Sequence, residues 1–152
     1  MANETVQITD KASALGTTRY AKVDANGNLQ VTAAVQGQGT QLTASATGGA
    51  GALTASLGGT ANKTTYITGF LVTGSGATAA SVINVTITGT ITGTLNYNIV
   101  VPAGATTSIQ PTGQTFAIPI AASGTNQAIV VNVPSFGSGN TNAAVSAYGF
   151  QL

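Results

Sequence analysis

The stretch Ser81–Gly104 reads SVINVTITGTITGTLNYNIVVPAG, and it decides the fold class. In its first half Ile83, Val85 and Ile87 alternate with Asn84, Thr86 and Thr88. In its second half Ile91, Leu95, Tyr97, Ile99 and Val101 fall on odd positions, and Thr92, Thr94, Asn96 and Asn98 fall on even ones. A period of two marks a strand, because successive side chains leave an extended backbone on opposite faces. Gly89 and Gly93 bracket the reversal, and Pro102 with Gly104 ends the second strand. The stretch predicts an antiparallel hairpin with one buried and one polar face.

Similar signals lie on both sides of it. Thr64 to Thr73 is rich in aromatic and β-branched residues and reads as a strand. After the hairpin, Ala105 to Gln110 is a weaker strand, and Thr115 to Ile120 is another, whose Pro119 marks an edge or a bulge. Gln127 to Val133 is apolar on both faces and is expected to be central. Asn142 to Leu152 is the last strand, with Ala144, Ser146, Tyr148, Phe150 and Leu152 on one face. The expected core is Ile83, Val85, Ile87, Leu95, Tyr97, Ile99, Val131 and Phe150, with most of Val101, Ile129 and Val133. Seven or eight short strands at this spacing predict an all-β fold. Its expected form is an antiparallel β-sandwich of jelly-roll or Greek-key type, with an extended N-terminal arm.

The chain has three expected parts. Residues 1–40 form the arm, with an extended piece at Val6 and Ile8 and a small hairpin over Tyr20–Val35 turning at Asn26-Gly27. Residues 41–62 are rich in Gly, Ala, Thr and Ser and read as a linker. Residues 63–152 are the β-sandwich body.

Charge is scarce and lopsided. The charged side chains of this 152-residue chain are Glu4, Asp10, Lys11, Arg19, Lys22, Asp24 and Lys63, for a net charge of +1. That balance gives no nucleic-acid footprint. No stretch approaches the roughly 20 apolar residues of a membrane span, and MANETVQITDK has neither the basic nor the apolar region of a signal peptide. Cys, His and Trp are absent, which removes disulfides, thiolate sites and the commonest general base. Catalysis needs a nucleophile beside a base or convergent acids. The body holds only Lys63, so the chain reads as non-enzymatic: catalytic residues none, cofactors none, metal ligands none. Asp24-Ala25-Asn26-Gly27-Asn28 superficially resembles the start of a Ca²⁺ loop but lacks its later Glu, and a turn explains it better. The Thr86–Thr94 ladder is interrupted at Gly89 and reads as an ordinary exposed strand face, not as an ice-binding repeat.

The phrases ITGFLVTGSGATAASVINVTITG, LNYNIVVPAGAT and FAIPIAASGTNQAIVVNVPSFGSGNTNAAVSAYGF, with AKVDANGNLQV in the arm, resemble small tailed-bacteriophage virion proteins. The similarity is greatest to capsid decoration (cement) proteins and covers Ile67 to Phe150. The resemblance implies a homo-oligomer, expected as a trimer. It would sit on the capsid exterior of the virion, bind the major capsid protein and be made in the host cytoplasm. It transfers no functional residue. The alternatives are a tail, fibre or baseplate component, or a surface- or carbohydrate-binding β-sandwich module. The last usually shows exposed aromatic platforms, whereas Tyr66, Tyr97 and Tyr148 lie in strand patterns that read as buried.

Six of the charges precede residue 25, in a segment too poor in apolar residues to build its own core. Deleting residues 1–40 is therefore expected to leave the far-UV circular dichroism of the body unchanged and to weaken attachment to a neighbour. Loss of the β signal on deletion would overturn this division of labour.

Overall fold

In the computed structural model, the structure describes residues 39–104 and 111–152 in full, and the backbone of two short N-terminal strands. The chain divides into two compact units, Met1–Gln36 and Gly37–Leu152. In the first, β1 (Val6–Ile8) pairs antiparallel with β2 (Arg19–Ala21), with Gln7 opposite Tyr20. The expected Tyr20–Val35 hairpin and the strand at 105–110 lie outside the described residues.

The second unit is all-β and antiparallel, built from β3 (Thr40–Gly48), β4 (Leu53–Leu57), β5 (Thr64–Ser75), β6 (Ser81–Thr90), β7 (Gly93–Val101), β8 (Thr112–Thr125), β9 (Ile129–Val133) and β10 (Asn142–Gln151). The hydrogen-bonded order is β3-β10-β5-β8-β6-β9-β4, with β7 on the free side of β6. A single residue pair, Thr90 with Ala122, joins β8 to β6. The sheet therefore has a β3-β10-β5-β8 half and a β4-β9-β6-β7 half, and it curls toward closure around one core.

The expected hairpin is β6 and β7, with Ile83 opposite Ile99 and Val85 opposite Tyr97. Gly89 has φ of 82°, a left-handed conformation that a residue with a Cβ adopts only at a cost. Past this point the register shifts and Thr90 turns inward, breaking the Thr ladder. The Thr90 hydroxyl donates to the Gly93 carbonyl and lies 3.0 Å from the Thr92 hydroxyl, closing the turn.

The expected linker is instead two strands of the sheet. β3 pairs along its whole length with β10, from Thr40 opposite Gln151 to Gly48 opposite Ala143. β4 pairs with β9, Leu53 opposite Val133 and Leu57 opposite Ile129. Composition misled here because the stabilising partner is remote in sequence. Leu57 and Ala55 are buried, and Leu42, Ala44, Ala46 and Leu53 pack against the core from the same stretch.

The core is centred on Ile67, Val72, Val85, Ile87, Ile129, Val131, Val133 and Val145, all fully buried. Of the expected core residues, Ile83, Ile99 and Val101 are buried as well, while Leu95 and Tyr97 are half-buried against the core. Phe150 is a correction. It lies half-buried on the outer face of β10, stacked on Tyr66, and the inward row of β10 is Ala143, Val145, Ala147 and Gln151. The larger side chains of neighbouring strands fill the interior, so β10 turns its small residues in. Gln151 donates from Nε2 to the Gly58 carbonyl at 2.7 Å and to the Thr65 hydroxyl at 3.1 Å, which satisfies a buried amide.

Burial separates two kinds of apolar residue here. Ile87→Ala is expected to lower unfolding free energy in urea by about 2–5 kcal/mol. Ile118→Ala, at a site 84% exposed, is expected to change it by no more than about 0.5 kcal/mol. Equal losses at the two sites would contradict this assignment of faces.

Candidate binding faces

Among the residues whose side chains the structure describes, Lys63 carries the only charge, and its Nζ donates to the Thr40 hydroxyl at 3.1 Å. Those residues include no group of three or more His, Cys, Asp or Glu able to hold a metal ion. The remaining candidates are surfaces.

The outer face of the β3-β10-β5-β8 half is built in rows set by strand register. Gln41, Phe150, Tyr66 and Ala121 form one row; Thr43, Tyr148, Gly69 and Thr115 the next; Ser45, Ser146, Leu71 and Gly113 a third. Tyr66 and Phe150 stack with ring centroids 5.0 Å apart and planes 10° apart, an arrangement favoured between aromatic rings. Tyr148 is 43% exposed beside Gly69, where no side chain covers it. Leu71 is exposed as well. The result is an aromatic and apolar strip flanked by neutral hydroxyls and one amide. Tyr148 thus corrects the expectation that the tyrosines are buried. The period-two pattern placed Tyr148 and Phe150 on one face but did not say which face was inside.

The outer face of the other half is polar. Thr54, Asn132, Thr86 and Asn96 line up across four strands, and Asn84 lies opposite Asn98. Asn84 Nδ2 donates to Asn96 Oδ1 at 3.1 Å. The exposed pair Val82 and Val100 interrupts this amide and hydroxyl surface at one end, and half-buried Val130 interrupts it between Ser56 and Thr88.

A third feature is strand edge: among the described strands β7 pairs only with β6, and β8 meets β6 only at Ala122. Strand edges invite pairing by other chains. β8 is irregular there: Thr115 pairs with Gly69 and Ile120 with Ile67, so four residues of β8 span the place of Thr68 alone. Pro119 lies in this bulge, as its ring demands, and Ile118 projects from it. Tyr97 on β7 packs against Phe70, centroids 5.1 Å apart and tilted by 58°.

No family model matches the chain, and neither curated proteins nor solved structures give a significant match. The surfaces must therefore be read by their own chemistry.

Burial raises the Tyr97 phenol above its ordinary pKa. The unfolded chain then loses this proton first, at about pH 10. The stabilisation from the neutral phenol is complete below that pH and is lost as pH rises through the folded value. Thermal melts are expected to fall in midpoint above about pH 10, less steeply in Tyr97→Phe. An identical alkaline decline in that variant would assign the effect elsewhere.

Proposed function

We propose that this chain is a non-enzymatic structural protein of a bacteriophage virion. In this reading it is a capsid decoration protein that binds the outside of the head and stabilises contacts between major capsid proteins. The observation that carries this reading is the aromatic strip of Tyr66, Leu71, Tyr148 and Phe150 on a body with one charged side chain. Such a face gains free energy from burial and meets no repulsion from charge on its own side. Little net charge also leaves self-association unopposed, which fits a homotrimer.

Strand pairing supports a jelly roll as the form of the body. β3 pairs with β10, β4 with β9, β5 with β8 and β6 with β7. These are the pairings of one long hairpin whose tip is the β6–β7 turn. Rolling that hairpin brings β10 beside β5 and β9 beside β6, and both contacts are present. Eight strands rolled in this way are a fold used by capsid and lectin domains. The resemblance of Ile67 to Phe150 to phage virion proteins supports the same reading, and the charged N-terminal segment is then the anchor to a neighbouring subunit.

Cryo-electron microscopy of virions from the source phage tests the proposal. The expected result is density of this shape on the outer shell where capsid proteins meet. Density on the tail or baseplate would assign the chain there instead, and its absence from the particle would overturn a virion role. Tyr148→Glu is expected to keep the wild-type melting midpoint and to lose binding to heads that lack the protein.

A further inference from the structure

A cleft of about 410 Å³ opens at one end of the body, between residues 78–84 and 134–138. This is within the roughly 300–1,000 Å³ of small-molecule sites. Its walls are held in place by direct bonds. Thr78 N and Thr78 Oγ1 both donate to the Ser138 carbonyl, at 3.0 and 2.8 Å, tying one wall to the other. Phe136, 1% exposed, anchors the second wall against Gly74, where any Cβ would lie 2.0 Å from its ring. Rigid walls lower the ordering cost of binding.

The chemistry of the lining narrows the ligand. Val82 and Pro134 are exposed and apolar, while Ser81, Asn84 and Ser138 are exposed and polar. Asn84 is oriented by its bond to Asn96, which uses one Nδ2 hydrogen and leaves Oδ1 to accept. Asn98 continues the amide surface beyond the cleft, opposite Asn84. Lys63, the only charge among the residues whose side chains the structure describes, lies just before the start of β5, whereas the cleft begins after its end. A phosphorylated or carboxylated ligand would lose hydration here without meeting a cation. A neutral sugar presents C–H faces to apolar walls and hydroxyls to amides and hydroxyls, so it meets both kinds of lining.

We infer that this cleft, extended by Asn98, is a binding site for a neutral saccharide. The aromatic strip is a separate surface, in which Tyr66 and Phe150 each cover one ring face of the other. The inference is independent of the virion role, since the cleft adjoins the outer face of the other half of the sheet.

The test is saturation-transfer NMR of the full chain with neutral oligosaccharides of glucose, galactose, mannose and N-acetylglucosamine, and with an oligogalacturonate for comparison. Transfer is expected to at least one neutral oligosaccharide and not to the charged one. Asn84→Ala is expected to raise Kd about fivefold, the loss of one neutral hydrogen bond. Val82→Ala is expected to weaken binding as well, and Tyr148→Ala to leave it unchanged. Both cleft substitutions are at exposed positions, and unchanged melting midpoints show that the fold is retained. The inference is overturned if no neutral oligosaccharide shows transfer at millimolar concentration or if only the uronate does. It is equally overturned if Asn84→Ala binds as wild type, or if Tyr148→Ala abolishes binding.

Discussion

The register of β10 is the constraint on which the rest of the body depends. This strand lies between β3 and β5 and pairs with both along its length. Because side chains alternate, a slip of one residue would exchange its two faces. In the observed register Val145 and Ala147 enter the core while Tyr148 and Phe150 stand outside. The same choice places Gln151 inward, where its amide ties the end of β10 to Gly58 and Thr65. One register thus sets the size of the inner row, the polar clamp at its end and the aromatic strip on the surface.

Small residues are what this arrangement requires. At Gly149 an added Cβ would lie 2.1 Å from the Tyr66 carbonyl oxygen and 2.9 Å from Leu57 Cδ1. β3 and β4 contribute Ala44, Ala46 and Ala55 to the inner side. Leu42, Leu53 and Leu57 supply the larger apolar side chains of these two strands, and ladder hydrogen bonds to β10 and β9 hold the alanines in place. Tertiary pairing of this kind explains why β-propensity depends so strongly on context.

The legibility of the sequence follows from the same point. The hairpin of β6 and β7 was readable because Ile83, Val85, Ile87 and Ile99 alternate with Asn and Thr, which differ sharply in polarity. The β8 irregularity was readable from Pro119, whose ring excludes a central ladder position. Residues 41–62 were unreadable as strands because their partners, β9 and β10, lie more than 70 residues away. The inner parity of β10 was hidden for a related reason. Both of its rows are apolar enough to be core, and only the volume left by Ile67, Ile87 and Val131 decides between them. No residue type announces the cleft either, since Thr, Ser, Asn and Pro occur throughout the chain.

Neutrality links the surfaces. A body with one charge has almost no long-range field, so it neither steers partners electrostatically nor repels copies of itself. Selectivity must then come from short-range matching: aromatic area on one half of the sheet, amide and hydroxyl geometry on the other. Interactions of those kinds are weakly screened by salt, in contrast with any made by the six charges near the N-terminus. Salt therefore separates the two parts of the chain physically. Contacts that persist through high ionic strength belong to the neutral faces, and contacts that fade with it belong to the charged segment. That separation assigns a given association to one part of the molecule without removing either.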